Sequence, residues 1–451
     1  MEKKWEIWKK DFLEISDKYA PLRTIRMRSN VRSWISTDIV KIMNRRDHMK
    51  ATASLSQNPI HWNEYRSLRN KVNRLIKEGK QKHYQDLTQK NLTNTKFWKE
   101  MTKLIPKKLN MASIPKNLTL DELNTFFSEI GSKTISEVEQ KKKKAGIPWK
   151  GPSCIYDFEI QVASERDIEM NLKKLKLTTN TDILGMDCKL LRLGSSIISK
   201  DLSDLINLSI ETDTVPQEWK IARVTPIYKG SGCKEDPSNY RPISVVCHIA
   251  KVFEKVIALQ FINYLTIHNL ISEYQSAYLK GCSTQTSLHR VIDDIYESMD
   301  EGEITAACFI DITKCFDSID HKLLLEKLEK HGIRKNIGWF RSYLTNRQQK
   351  VVNNGRLSDV KEVHSGVPQG SVLGPFLFIL FANDIGNFIE TGQINCYADD
   401  AVIYVSDVNA TEAKRKLQMC INSVEEWYTE NKLKVNVRSY GTRNTTKNCT
   451  Y

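Results

Sequence analysis

The chain has 451 residues, of which 40% are hydrophobic and 27% charged, an ordinary globular usage that excludes wholesale disorder. Its 19 Gly and 10 Cys exclude collagen-like and disulfide-scaffold classes at this length. The net charge of +14 is unevenly spread: residues 1–150 hold 33 Lys+Arg against 16 Asp+Glu, while residues 151–451 hold 35 against 38. The excess therefore lies in the N-terminal third, as expected of a segment that meets a polyanion.

The opening MEKKWEIWKK carries charges where a signal peptide needs an apolar core. Residues 1–140 read as a basic helical extension. From Tyr65 onward Leu68, Val72, Leu75 and Ile76 recur at helical spacing, with Arg66, Arg69, Lys71, Arg74, Lys77 and Lys80 on the remaining surface. A solvated charged face would explain any one such helix; the regional excess favours a phosphate-contacting arm. Residues 141–153 include KKKKAGIPWKGP and predict a linker. Residues 154–214 predict a helical lead-in, with helices over about 165–175 and 190–211.

From Val215 the pattern turns to short β-rich runs separated by helices, which predicts a mixed α+β domain over 215–437. The longest apolar run, near residues 372–382, is broken by Gly374 and Pro375 and is too short to span a bilayer. Residues 438–451 are polar and patternless and predict an unstructured tail. No CxxC pair occurs, so the cysteines read as small buried hydrophobes in a reducing compartment, with no disulfide-linked partner and no membrane.

Two Asp-bearing segments carry the strongest chemical signal. In Ala306-Ala307-Cys308-Phe309-Ile310-Asp311 an apolar strand delivers Asp311 at its end, and Thr313 to Asp317 then turn towards a helix around His321. In Cys396-Tyr397-Ala398-Asp399-Asp400-Ala401-Val402 two adjacent carboxylates sit between β-rich runs, as at a hairpin tip. Strand side chains alternate between faces, so Asp399 and Asp400 reach one site only if a turn intervenes. Set beside Asp311, they would make an oxygen cage for hard divalent cations, and an in-line phosphoryl displacement uses two such ions about 3.5–4 Å apart. A polar hairpin turn explains the Asp pair taken alone; the flanking apolar strands favour the cage.

These segments resemble the two metal-binding motifs of reverse transcriptases, and in particular those of non-LTR (LINE-type, jockey-like) retrotransposons. The resemblance continues through Trp219-Lys220-Ile221-Ala222-Arg223-Val224-Thr225-Pro226-Ile227-Tyr228-Lys229 with Asn239-Tyr240-Arg241-Pro242, which is similar to the family's fingers hairpin. Gln275-Ser276-Ala277-Tyr278 and Gly366-Val367-Pro368-Gln369-Gly370-Ser371 are similar to further motifs, and the basic helices upstream resemble the region preceding the polymerase in such elements. The resemblance implies a right-hand polymerase fold, with an antiparallel palm sheet backed by helices and α/β fingers.

It also implies roles. Asp311, Asp399 and Asp400 would ligate two Mg²⁺ or Mn²⁺ ions, with the Ile312 carbonyl as a further ligand. Lys229 and Arg241, flanking a turn, would meet the triphosphate of an incoming deoxynucleotide. Phe316 would pack under its sugar and exclude a 2′-hydroxyl; a core aromatic is the plainer reading of the same residue. Gln369 and Gly370 would lie against the nascent base pair. The implied reaction is extension of a DNA 3′-hydroxyl on an RNA template, in the nucleus. A catalytically inactive relic that only binds RNA is the alternative, and a viral-type RNA polymerase fits less well because of Ala398 and Phe316.

Three departures from the family pattern bear on this. Tyr278-Leu279 stands where Phe-Arg is usual, and Ser439 where a Lys is expected. The sequence also predicts a chain lacking the endonuclease and the thumb, as in a truncated element copy.

Overall fold

The computed structural model describes residues 1–21, 34–89, 114–115, 117–140, 149–151, 153–176 and 181–436. Most of the linker expected at 141–153, the tail at 438–451, Ser439 and Cys449 lie outside these residues. The chain folds as two compact units, one of Met1–Ala20 with Ala112–Tyr451 and one of Pro21–Met111.

The smaller unit is a helical hairpin of α2 (Thr37–Ser56) and α3 (Pro59–Gln89). Ser36 caps α2 by accepting from the Ile39 N–H, and Gln57 ends it in the left-handed region. Ile39, Ala53 and Val72 form its buried seam, while Arg66, Arg69, Lys71, Arg74, Lys77 and Lys80 stay exposed. Pro21–Met111 holds 21 Lys+Arg against 6 Asp+Glu, whereas the first twenty residues hold five of each. The N-terminal basic excess thus resides mainly in this unit.

The larger unit begins with α1 (Glu2–Tyr19). Trp5 is fully buried, its ring 5.2 Å edge-on from Trp219, and its indole N–H donates to Glu218 across 2.7 Å. The aromatic chain runs on from Trp219 to Phe253 and Trp339 and forms the centre of the main core. The sequence reading grouped residues 1–140 as one extension; here α1 packs with the larger unit because Trp5 needs that apolar cover. The same holds for α4 (Leu120–Glu139), opened by a capping box of Thr119 and Glu122. Its Leu123 and Phe127 pack with Val224, Tyr240 and Val351 in a second, smaller core.

The lead-in helices appear as α5 (Glu165–Lys173), α6 (Cys188–Leu193) and α7 (Ser195–Glu211). The run predicted as one helix over 190–211 is two, separated at Gly194.

Two sheets follow. In the first, β1 (Ile221–Tyr228) pairs antiparallel with β2 (Tyr240–Val245) and parallel with β4 (Arg347–Asn353), which also pairs with β5 (Arg356–Leu357) and β6 (Lys361–Val363). The second is antiparallel, in the order β3 (Ile304–Ile310), β8 (Asp400–Asp407), β7 (Gln393–Tyr397). The helix α13 (Ala410–Glu430) packs across β3 and β8, and α9 (Thr284–Asp300) lies against β3 and β7. The helices α8 (His248–Ile267), α10 (His321–Lys330), α11 (Ile337–Leu344) and α12 (Gly374–Phe381) complete the unit. It is an α+β arrangement.

Seven cysteines are buried, as expected, but Cys233 and Cys282 sit exposed in loops. Among the described residues no helix is long and apolar enough to cross a membrane.

Candidate active site

The antiparallel sheet brings the two Asp motifs together through register. Ile310 on β3 lies opposite Ala401 on β8, so Asp311, one step past the strand end, reaches the level of Asp400. Tyr397 pairs with Asp400, leaving Ala398 and Asp399 as a two-residue hairpin turn. The turn that the sequence required is therefore present. Ala398 adopts it with φ +56°, a left-handed conformation that L residues resist.

Two distant polar side chains hold this geometry, and sequence reading assigned neither of them chemistry. The Gln275 side-chain carbonyl accepts from the Ala398 N–H at 3.1 Å and from the Ala277 N–H at 2.9 Å, while Ser276 and Cys396 pair along the edge of β7. Asn436 donates from Nδ2 to Asp311 Oδ2 at 3.1 Å, and its N–H to the Asp311 carbonyl at 2.9 Å. Ile312, whose carbonyl was a candidate ligand, bridges to Val435.

Burial pushes the Asp399 carboxyl up, and the neighbouring charges of Asp400 and Asp311 push the same way. The buried Cys315 thiol is raised by its burial first and then by Asp399, Asp317 and Asp311. Tyr278, where the family pattern has Phe, is raised by burial and by Asp399. The site is thus a half-buried concentration of negative charge.

Lys229 and Arg241 lie on the β1–β2 hairpin. Arg241 is opposite Ile227, and the Lys229 N–H donates to the Asn239 carbonyl, which puts both cations on one face as diagonal neighbours. The Lys229 ammonium donates to the Ser238 carbonyl at 2.8 Å. A third cation joins them that sequence reading passed over. Lys314 sits at φ +52°, where burial first, then Lys229 and Arg241, press its ammonium below the usual lysine range. Its Nζ lies 5.9 Å from the Phe126 ring centre on α4. The only signal in the sequence was its position between Asp311 and Phe316.

Phe316 is half-buried against Phe378, ring centres 5.0 Å apart. The segment 365–370 is clamped to the turn after Asp311: Val367 N–H donates to the Phe316 carbonyl and Gly366 N–H to that of Ile319, both at 2.8 Å. Gly366 and Gly370 have positive φ, and a Cβ on Gly370 would meet the Ser244 carbonyl oxygen at 2.3 Å. Close backbone approach, not a side chain, is what these glycines supply. Gln369 donates from Nε2 to Asp317 Oδ1 at 2.9 Å, and its carbonyl accepts from the Ser244 N–H. Trp427 is a buried core residue that donates to Asp384.

Residues 229–438 match the family "Reverse transcriptase (RNA-dependent DNA polymerase)". This region is similar to reverse transcriptase domains. The chain is 31% identical over 242 residues to the Drosophila melanogaster protein named "Probable RNA-directed DNA polymerase from transposon BS", covering 52% of this chain and 27% of that one. It is 27% identical over 269 residues to the Drosophila melanogaster "RNA-directed DNA polymerase from mobile element jockey", covering 58% and 29%. A 115 kDa protein named for the retrotransposable element R1DM is 23% identical over 303 residues, covering 65% and 27%. The chain thus spans under a third of the length of these relatives.

A reverse transcriptase domain implies dependence on a divalent metal. Asp311, Asp399 and Asp400 supply hard oxygen donors whose mutual repulsion a dication would relieve, so the donor chemistry of this domain fits such an ion. Among the described residues no group of three or more His, Cys, Asp or Glu side chains is already arranged to hold one.

Proposed function

We propose that the chain is the RNA-directed DNA polymerase of a non-LTR retrotransposon, extending a DNA 3′-hydroxyl on an RNA template with deoxynucleotides. In this reading β3, β8 and β7 form the palm sheet, and β1 with β2 the fingers hairpin. The observation that carries it is the register that levels Asp311 with the Asp399–Asp400 hairpin.

The reaction joins the primer 3′-oxygen to the α-phosphorus of the incoming nucleotide and releases pyrophosphate. Asp311, Asp399 and Asp400, with the Ile312 carbonyl, would hold two Mg²⁺ or Mn²⁺ ions, which when bound lower the cost of the attacking and departing oxygen charges. Asn436 keeps Asp311 aimed and Gln275 fixes the hairpin that presents Asp399. Lys314, Lys229 and Arg241 are three mutually repelling cations, an arrangement that an anionic triphosphate stabilises. Phe316 closes the pocket beneath the sugar, and Gln369 with Gly370 lines the nascent base pair.

The partners are an RNA template, a DNA primer and deoxynucleoside triphosphates, and the place of action is the nucleus. Primer extension on an RNA template annealed to a DNA primer tests the reading, with Asp399→Ala run alongside. Divalent-metal-dependent extension by the wild type, lost by at least a hundredfold in the variant, is expected. RNA binding without extension in both proteins would contradict it and leave a binding relic.

A further inference from the structure

Asp317 and Gln369 stand 52 residues apart, and neither belongs to the metal-ligand set. The clamp between their segments is stiff: besides the two main-chain bonds at Phe316 and Ile319, Ser365 Oγ donates to the Asp317 carbonyl at 3.0 Å. Inside that clamp the 2.9 Å bond from Gln369 Nε2 to Asp317 Oδ1 joins the two side chains.

The other carboxylate oxygen is the unusual feature. Asp317 Oδ2 is sealed from solvent and has no hydrogen-bond partner among the described residues, although other atoms of the residue are partly exposed. Beside it lies a cavity of ≈ 40 Å³, walled by Phe127 and Gly131 of α4, Arg347, Ser365, Asp317 and Gln369. Arg347 Nη2 is likewise buried without a partner among the described residues. A buried carboxylate left half-satisfied is costly, so its one side-chain bond governs what both partners do.

A glutamine amide has a donor end and an acceptor end, whereas an ionised carboxylate only accepts. Asp317 therefore takes the NH₂ end, and the carbonyl end must point away. We propose that Asp317 is a positioning residue that locks the Gln369 amide so that Oε1, a hydrogen-bond acceptor, faces the incoming nucleotide and engages a donor group on it. This rests on the placing of Gln369 at the nascent base pair.

Protonation would release the lock. A neutral Asp317 carries an O–H donor beside its remaining acceptor, so the amide is no longer held one way round and the site can show the nucleotide an N–H. Burial raises this carboxyl to about 6, Lys314 opposing. The other charged or titratable groups around the clamp are Cys315 on the same turn, Arg347 from β4, and His321, which bonds the Gly366 carbonyl and is itself pushed down by burial. The cavity-lining residues of α4 (Phe127, Ser128 and Gly131) and of β2 (Pro242 and Ser244) carry no charge.

Two readouts on the full chain test this. In protein carrying ¹⁵N-glutamine, the Gln369 side-chain amide resonance, assigned by its loss in Gln369→Ala, is followed from pH 5 to 7.5. It should titrate with a midpoint near that of Asp317 and stay fixed in Asp317→Asn. A Gln369 amide that does not titrate in the wild type overturns the coupling, whether or not the chain polymerises. In primer extension, Asp317→Ala, which removes the acceptor, should raise KM for the deoxynucleotide about tenfold, the equivalent of one hydrogen bond, with kcat changed less than about twofold. The same substitution made in a Gln369→Ala background should add nothing. Full additivity would make Asp317 merely structural and overturn the proposal. An active enzyme indifferent to Gln369→Ala would overturn its functional half, while absence of extension in the wild type would count against the polymerase reading alone.

Discussion

Ala398 shows the strain stored at a single residue of the site. Its φ of +56° is forced by the two-residue turn between β7 and β8, and Gln275 fastens it there. Left-handed geometry costs an alanine about 1 kcal/mol relative to glycine, so Ala398→Gly should raise stability by about that amount in urea unfolding. A variant less stable than the wild type would show that the turn is not strained. His331 offers a second residue-scale expectation. It is fully buried, with its Nδ1 bonded to the Lys327 carbonyl and Nε2 to the Asn383 amide, and burial pushes it down to about 4. The unfolded chain takes up its proton near 6.5 while the fold does not, so stability falls as pH drops through that window. Between pH 7 and pH 5 this should cost about 2 kcal/mol, a slope that His331→Gln should remove. Asp317 slopes the opposite way over an overlapping range, so the difference between variant and wild type is the quantity to compare. The legible residues, Asp311 and Asp399, were those at strand ends flanked by apolar runs. Gln275, Asn436 and Lys314 were not legible as site residues, because each acts through a partner brought near only by folding, over a hundred positions away for the first two.

Among the elements, the strands β3, β7 and β8 and the hairpin of β1 with β2 were visible as β-rich runs bounded by turn residues. The helices α1 and α4 were misgrouped for a physical reason. Trp5, Trp8 and Phe12 form a narrow apolar stripe on α1, hidden among ten charged side chains in the first twenty residues. Charge counted by region could not show that the stripe docks beside Trp219. Trp5→Ala should therefore destabilise the larger unit by about 3–5 kcal/mol in equilibrium unfolding; a loss under about 1 kcal/mol would mean that α1 is a loose appendage. On α4, Gly131 is pressed so closely on the turn after Asp311 that a Cβ would meet the Asp317 carbonyl oxygen at 1.8 Å. Gly131→Ala should cost about 1–3 kcal/mol by overpacking and move that turn. Unchanged stability would contradict the close approach of α4.

The whole molecule separates charge from chemistry. Pro21–Met111 carries 21 basic residues against 6 acidic, while the carboxylate site and the reverse transcriptase match lie in the other unit. Sequence composition located the excess in the N-terminal third but could not trim it to that unit, since α1 and α4 lie inside the same stretch. If the exposed face of α3 meets RNA phosphates, Arg66→Ala, Lys71→Ala and Lys77→Ala should each lower the slope of log K against log salt by about 0.7–0.9 in RNA-binding titrations. An unaltered slope would make that face a solvated surface only. The α+β class and the Asp pairing were legible because strand alternation and turn chemistry are local. The two-unit division was not, because it depends on which apolar stripe finds cover.

The most direct test of the polymerase reading is to sequence the strand that the full chain adds to a DNA primer on a defined RNA template with Mg²⁺. Template-complementary deoxynucleotides, absent from the Asp311→Ala and Asp399→Ala proteins, are the predicted product. An untemplated strand, or extension that survives loss of both carboxylates, would contradict the account.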